Sequence, residues 1–264
     1  MKLAILIGLI HFSLTVSSQV KIHAHNDYEK PFPLVNALNN MAYIIEADVY
    51  PGKPGLLVAH SRREIDSTKT LSGLYIHPII QLFKSNDGYI SNDTSYRLTL
   101  MIDIKEKGTD VIQQLMQLIK PYQKYFDRNI NPAAVRIVLS GDRGEMGKWK
   151  DYPPYIFFDG RPYDSYDSIT STRVPIISDS YFRYVSREEP LKMDSLKIVA
   201  DKVHTQGKLV RFWGGPDNPE IWRAMKEAGV DIINTDKVEE CRKFFEGEFR
   251  SVGTPTGAPF TLHP

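Results

Sequence analysis

Short apolar runs alternate along the chain with longer segments in which apolar residues recur at helical spacing. The apolar runs predict strands at residues 20–25, 42–50, 98–105, 135–140, 156–159, 175–179, 209–213 and 231–235. The helical spacing predicts helices over residues 33–40, 109–126, 193–205, 218–228 and 238–245. Because the strands number eight and alternate with helices, we expect an α/β fold, a TIM (β/α)8 barrel.

A doubly wound open sheet is the alternative architecture for this alternation. Such sheets usually carry a glycine-rich phosphate loop after a strand, and no Gly-X-Gly-X-X-Gly or Walker-type loop follows any predicted strand. One unit departs from plain repetition, because residues 51–55 form a Pro- and Gly-rich turn before a further extended run at residues 56–60. This run predicts a hairpin-like extension of the second strand.

The two ends of the chain differ in composition from the part between them. Lys2 precedes an apolar run over residues 3–10 and the small residues Ser17 and Ser18, which is the pattern of a cleaved secretory signal. Residues 251–264 are rich in Gly, Pro and Thr and predict a disordered tail. We therefore expect a signal peptide over residues 1–18, one barrel domain over residues 19–250, and export to the periplasm or the extracellular space.

Composition narrows the classes of partner. The 264 residues include 33 Lys and Arg against 32 Asp and Glu, so the net charge of +1 argues against a nucleic-acid partner. The single cysteine, Cys241, can form no intramolecular disulfide. After the predicted signal, no apolar stretch approaches the length of a transmembrane helix.

Ionisable side chains gather at the ends of three predicted barrel strands. Strand side chains alternate between faces, so one face of each strand carries a polar pair while apolar neighbours take the other face. The pairs are His23 and His25, Glu46 and Asp48, and Asp103 and Lys105. In a barrel these pairs face the interior at the end where catalysis takes place.

Three of these side chains, Glu46, Asp48 and Asp103, are carboxylates expected to converge at one rim. Like charges at close range disfavour joint ionisation, and a bound divalent cation relieves the repulsion. All-oxygen ligands suit Mg²⁺, Ca²⁺ or Mn²⁺ better than Zn²⁺. The alternative is a buried structural ion-pair network in which Lys105 and nearby Arg residues neutralise the carboxylates.

Two histidines flank the predicted carboxylate site. His25 ends the first strand and His60 ends the extension of the second. Imidazoles exchange protons near neutral pH, so a pair of them suits general acid–base hydrolysis. His23 is expected either to be a hydrogen-bonded residue of the core or to support another residue of the site.

These residues carry a family resemblance. The runs Ala24–Asp27, Ile45–Asp48 and Val58–His60 resemble the His…Glu-X-Asp…His signature of glycerophosphodiester phosphodiesterases and their phosphatidylinositol-phospholipase-C-like relatives. The segment 72–78 and the run "AHNDY" are similar to the altered-inheritance-of-mitochondria protein 6 branch, and the resemblance continues through Asp103, Trp213 and residues 229–236. It covers nearly the whole chain after the predicted signal.

The resemblance implies a metal-dependent phosphodiesterase on a PLC-like barrel. His25 and His60 would be the acid–base pair, and Glu46, Asp48 and Asp103 would hold Mg²⁺ or Ca²⁺, with Mn²⁺ as a further candidate. Substrate contacts would come from Lys105, Asn26 and Trp213. The implied substrate is a small phosphodiester or a phospholipid headgroup, and the resemblance does not say which histidine is the acid.

One departure from the family pattern bears on the substrate. The glycerophosphodiester enzymes usually have Arg directly after the first His, where this chain has Asn26. A neutral amide does not replace the charge of a bidentate phosphate donor. Candidates for a cation from another loop are Arg62, Arg63, Arg143 and Arg161.

Two other functions compete with this reading. His23 and His25 on a first barrel strand, with Asp236 near the last, also suggest a metal-dependent amidohydrolase, but the remaining histidines do not complete its ligand set. A barrel that binds a phosphorylated ligand without turnover is the second. The presence of both His25 and His60 favours catalysis over simple binding.

Overall fold

A computed structural model describes residues 20–250 of the chain, with side chains described up to residue 247. Nine strands form one sheet: β1 Lys21–Ala24, β2 Ile44–Tyr50, β3 Leu57–Val58, β4 Thr99–Ile104, β5 Arg136–Gly141, β6 Ile156–Gly160, β7 Ile176–Ser180, β8 Leu209–Trp213 and β9 Ile232–Thr235. Apart from β3 the strands pair in parallel, and β1 pairs with both β9 and β2. Eight parallel strands therefore close into a barrel, as the sequence predicts, and the doubly wound alternative is wrong.

Helices follow most barrel strands. The α-helices are α1 Val35–Asn39, α2 His77–Ser85, α3 Gly108–Ile119, α4 Ser168–Thr172, α5 Asp194–His204, α6 Pro219–Glu227 and α7 Val238–Arg250. Short 3₁₀ turns lie at Asp27–Glu29, Arg62–Glu64, Lys120–Tyr125, Met146–Asp151 and Tyr181–Arg183, and a π-helical turn over Ser72–Ile76 leads into α2. Helices α2 and α4 were not among the predicted helices. No helix in the described part of the chain is long and apolar enough to cross a bilayer.

The predicted strand positions are confirmed to within two residues at each end. The extension after β2 is also confirmed, since β3 pairs antiparallel with β2 through Val49 and Val58. The helix predicted over residues 109–126 is divided, because Tyr122 leaves helical geometry after Pro121. The predicted signal segment, residues 1–18, and the predicted tail, residues 251–264, lie outside the described residues.

The barrel strands separate two apolar clusters. The large cluster packs between the outer face of the sheet and the helices, and includes Ile45, Ala47 and Val49 of β2. A smaller cluster fills the inside of the barrel and consists of Ile44, Met101, Val138, Ile176 and Ile232, which are all buried. Because side chains alternate along each strand, the residues after this inner cluster point into the barrel toward its C-terminal end. These inward positions are polar.

Gly141 at the end of β5 allows two neighbouring strands to approach closely. Its φ is +67°, and a Cβ there would lie 2.3 Å from the carbonyl oxygen of Ile104 and 2.9 Å from Asp103 Oδ1. We expect Gly141→Ala to destabilise the protein by about 1 kcal/mol from backbone strain plus about 1–3 kcal/mol from the clash.

A matched control separates the two costs. Gly207 has the same φ of +67° with nothing within 4 Å of the added Cβ, so Gly207→Ala should show the strain alone. Urea unfolding of both variants measures the difference. Equal losses of unfolding free energy in the two variants would show that the close approach of β5 to β4 adds no clash to the cost of Gly141→Ala.

Candidate active site

Three carboxylates meet at the C-terminal end of the barrel on adjacent strands. Glu46 and Asp48 belong to β2, Asp103 belongs to β4, and Asp48 pairs with Asp103 in the register of the two strands. One carboxylate oxygen from each residue lies within 4.8 Å of the other two. The predicted convergence of these side chains is therefore present.

Lys105 lies between two of the carboxylates. Its Nζ is 2.6 Å from Asp48 Oδ2 and 2.5 Å from Asp103 Oδ2. Burial alone lowers the pKa of Lys105, but Asp103 and Asp48 outweigh burial and raise it, so the ammonium stays charged. The ion pairs expected from the structural alternative are thus present as well, and they occupy only one oxygen of each aspartate.

The carboxylates retain capacity for a cation beyond Lys105. Asp48 Oδ1 is buried and has no hydrogen-bond partner among the described residues. Burial raises the pKa of Asp48 to about 6, and the negative charge of Glu46 acts in the same direction against the opposing charge of Lys105. An unpartnered oxygen in a group of three carboxylates fits a hard divalent cation, which takes oxygen ligands.

His25 follows β1 and faces the carboxylates. Its Nδ1 is 2.8 Å from Asp236 Oδ1, and its Nε2 is 3.9 Å from Glu46 Oε1. Burial lowers the pKa of His25, but the hydrogen bond to Asp236 and the charge of Glu46 outweigh it, so the net pKa is raised above 6.5. The same hydrogen bond lowers the pKa of Asp236. The pair orients the ring with Nε2 toward the site.

Removing the carboxylate charge at residue 236 should lower the pKa of His25. We expect Asp236→Asn to shift the NMR titration of His25 in metal-free protein to lower pH, because an amide no longer stabilises the protonated ring. Asp231→Asn is the matched control, since Asp231 makes the same 2.8 Å contact with His204 before the start of β9. An unchanged His25 titration in Asp236→Asn would rule out this pairing.

His60 approaches the carboxylates from the extension after β3. Its Nδ1 lies 3.4 Å from Asp48 Oδ2 and 3.4 Å from the Tyr28 hydroxyl. Tyr28 is within hydrogen-bond distance of Asp48 Oδ2, at 2.8 Å, and of Asn26 Oδ1, at 3.0 Å. Tyr28 thus joins Asn26, Asp48 and His60, a role that no sequence pattern assigns to it.

A buried polar network lies beneath the site, and apart from His23 and Glu46 its members were not among the predicted site residues. It comprises His23, Glu46, Ser140, Asp159, Ser178, Arg211 and Asn234, joined by side-chain hydrogen bonds and ion pairs inside the barrel. Strand alternation indicates the inward position of Arg211. Its neighbours Val210 and Phe212 are apolar and buried on one face of β8, so Arg211 takes the opposite face. Charged residues inside apolar strands are rarely buried unless they are paired.

The four candidate arginines separate by position. Arg62 forms an ion pair with Glu106 and is 65% exposed, and Arg63 is exposed. Arg143 and Arg161 are largely buried and both contact the carbonyl oxygen of Asp159. The Arg161 guanidinium also stacks on Trp213, 4.8 Å from the ring centroid. Arg161 is therefore the candidate that lies beside a predicted substrate contact.

The amidohydrolase alternative needs both first-strand histidines as metal ligands. His23 is fully buried, and its Nε2 is 2.5 Å from Glu46 Oε2, so that nitrogen is already occupied by a carboxylate. Only His25 of the two faces the site. The carboxylate cluster is accordingly the group in these elements that could hold a metal ion.

Sequence comparison identifies relatives over most of the chain. Residues 12–159 match the AIM6-like phosphodiesterase domain, and residues 210–239 match the glycerophosphoryl diester phosphodiesterase family. The altered inheritance of mitochondria protein 6 homolog of Arthroderma benhamiae is 25% identical, with 86% of this chain and 84% of the relative covered. The altered inheritance of mitochondria protein 6 of Eremothecium gossypii is 27% identical, with 85% and 69% covered.

Solved structures share the fold at low sequence identity. A glycerophosphodiester phosphodiesterase from Parabacteroides distasonis has a TM-score of 0.55 at 15% identity, covering 87% of this chain and 98% of that one. A Ca²⁺-dependent phosphatidylinositol-specific phospholipase C from Streptomyces antibioticus has a TM-score of 0.52 at 11% identity, with 86% and 95% covered. Because the first domain match spans more than half of the chain, this protein belongs to the AIM6-like phosphodiesterase domain family, a branch of the GDPD/PLC-like phosphodiesterase superfamily.

Proposed function

We propose that this protein is a metal-dependent phosphodiesterase that uses His25 and His60 for general acid–base catalysis. The observation that carries the proposal is the meeting of three carboxylates and these two imidazoles at the C-terminal end of one barrel. The substrate class is a phosphodiester of the glycerophosphodiester or phospholipid-headgroup kind. Membership of a phosphodiesterase family supports this class.

Glu46, Asp48 and Asp103 would hold the cation, with Mg²⁺ or Ca²⁺ favoured and Mn²⁺ also compatible with the oxygen ligands. A cation bound there supplies Lewis-acid stabilisation of the negative charge that develops on the phosphoryl oxygens. Lys105 adds a second positive charge. Two of its three N–H groups are directed to Asp48 and Asp103, which leaves one donor for a non-bridging oxygen.

The two histidines would move the protons. His25 donates its Nδ1 proton to Asp236, so its Nε2 is the atom that exchanges a proton with the substrate. His60 lies near Tyr28 and Asp48, the second carboxylate of β2 in the group. One imidazole deprotonates the attacking water or substrate hydroxyl, and the other protonates the leaving alkoxide.

Asn26 and Trp213 would contact the rest of the substrate. The Asn26 side-chain oxygen lies 3.0 Å from the Tyr28 hydroxyl, so the amide N–H groups are the donors that Asn26 would offer to a substrate. Trp213 ends β8 and carries the Arg161 guanidinium against its ring. Arg161 would thereby provide the positive charge that Asn26 lacks, from the opposite side of the barrel mouth.

Hydrolysis of bis(4-nitrophenyl) phosphate by the purified protein tests the proposal. We expect release of nitrophenol with Mg²⁺, Ca²⁺ or Mn²⁺ and none in excess chelator. Turnover that persists in chelator would contradict a metal-dependent mechanism. Binding of phosphodiesters without turnover in the presence of each of the three metals would favour the non-catalytic barrel. A screen of glycerophosphodiesters and inositol phospholipids by ³¹P NMR then identifies the substrate and distinguishes cyclic from open products.

A further inference from the structure

His23 is a histidine that the proposed mechanism leaves unused. It lies two residues before His25 on β1 and is fully buried inside the barrel. Its Nε2 is 2.5 Å from Glu46 Oε2, and its Nδ1 is 3.3 Å from Arg211 Nη1. It therefore lies between the Arg211 guanidinium and Glu46, a proposed metal ligand.

The partners of His23 assign its tautomer. An ionised carboxylate only accepts hydrogen bonds and a guanidinium only donates them. Nε2 must then carry the proton that is donated to Glu46, and Nδ1 must accept from Arg211. The assignment follows from the hydrogen-bond network, and it leaves the neutral ring with both nitrogens satisfied.

Arg211 is itself fixed on several sides. Its Nε donates to Ser178 Oγ at 3.1 Å and its Nη1 donates to Asn234 Oδ1 at 2.8 Å. Its Nη2 lies 3.3 Å from Asp159 Oδ2. With a side chain that is 4% exposed and partners on β6, β7 and β9, Arg211 has little freedom to move. It forms a rigid support for the His23 ring.

The two carboxylate oxygens of Glu46 have different neighbours. Oε2 is occupied from below by His23, with Arg211 Nη1 3.7 Å away. Among residues 20–247, the ion-pair contact of Oε1 is with His25 Nε2, at 3.9 Å. The oxygen on the side of the proposed site is thus the uncommitted one.

We propose that His23, held by Arg211, is a positioning residue that orients Glu46 so that one carboxylate oxygen is presented to the divalent cation. This inference rests on the proposed metal-dependent function and adds a residue to it. Groups that hydrogen-bond to a metal ligand commonly change metal affinity by about 10–100-fold when they are removed. His23 would act through Glu46 and would not touch the substrate.

Two amide substitutions distinguish positioning from simple filling of space. The amide nitrogen of glutamine can reach the position of imidazole Nε2 and donate to Glu46, whereas the shorter asparagine reaches only the Nδ1 side, near Arg211. By isothermal titration with Mn²⁺, we expect His23→Asn to bind about tenfold or more weakly than wild type. His23→Gln should bind close to wild type.

Ser140→Ala provides the matched control. Ser140 donates to Asp159 Oδ2 at 2.9 Å within the same buried polar network but does not contact Glu46. Its Mn²⁺ affinity should not change. Circular dichroism and urea unfolding identify which variants are folded. Because both His23 variants carry a polar amide in place of the imidazole, a difference between them does not come from the loss of a polar group.

The outcomes separate this inference from the function on which it rests. A wild-type protein that binds no divalent cation at any pH tested would overturn both. Wild-type binding of Mn²⁺ with equal affinities for His23→Asn and His23→Gln would overturn the positioning role alone. Loss of affinity in Ser140→Ala as large as in His23→Asn would do the same, because it would reflect general loosening of the barrel interior.

Discussion

Replacing either His25 or His60 with alanine is expected to lower kcat for phosphodiester hydrolysis by roughly 10² or more. Each imidazole lies at the mouth of the barrel next to a different carboxylate, His25 at Glu46 and His60 at Asp48. Without His25 or His60, one of the two proton transfers must use water. The loss should appear in kcat at saturating substrate, because neither ring is assigned to ground-state binding.

The loss should not come from unfolding. The side chains of His25 and His60 are 31% and 55% exposed, so truncation removes little buried surface. His77→Ala is the control, since His77 begins α2 away from the carboxylates and is also exposed. Steady-state kinetics of the three variants decide the matter. Rates near wild type in both His25→Ala and His60→Ala would remove the acid–base assignment and support a binding function.

Glu46→Gln is expected to weaken binding of Mn²⁺ by at least about tenfold, with a matching loss of activity at limiting metal. The substitution keeps the shape of the side chain and an oxygen that accepts from His23. It removes one of three negative charges that lie within one small site. Because the removed charge also repels Asp48, the metal-free protein should not lose stability.

Asp201→Asn is the matched control for the lost carboxylate. Asp201 lies on α5 in an exposed pair with Lys197, at 3.3 Å, and such pairs contribute little. Isothermal titration on both variants gives the comparison. Unchanged Mn²⁺ affinity in Glu46→Gln would assign Glu46 to a purely structural network with His23 and Arg211.

The parts of the fold that follow from periodicity were predictable from the sequence. Each barrel strand is a short apolar run, and the inward positions of β2 and β4 could be counted from strand alternation. That count correctly placed Glu46, Asp48, Asp103 and Lys105 together at one rim. Local spacing suffices here because neighbouring parallel strands end at the same edge.

Contacts between strands that are far apart in the sequence were not predictable in the same way. His25 pairs with Asp236, 211 residues later, because β1 closes the barrel against β9. The sequence shows both residues but not their orientation. Sequence patterns include Asp236 in the family resemblance and offer it as a ligand for another enzyme class, but they do not pair it with His25. That contact depends on the closure of the barrel.

The members of the buried polar network other than His23 and Glu46 were not predictable for a related reason. A charged residue such as Arg211 in a strand is ordinarily exposed, and only its partners make burial tolerable. Those partners, among them Asp159 and Asn234, lie on other strands and become neighbours only inside the closed barrel. Alternation indicates that Arg211 points inward, but it does not indicate what it meets there.

Anomalous diffraction from a crystal grown with Mn²⁺ tests the central claim most directly. The account predicts one strong anomalous peak at the C-terminal end of the barrel, within ligand distance of carboxylate oxygens from Glu46, Asp48 and Asp103. Mn²⁺ bound only elsewhere in the molecule would contradict it. So would a structure at saturating Mn²⁺ in which the three carboxylates contact Lys105 but no metal ion.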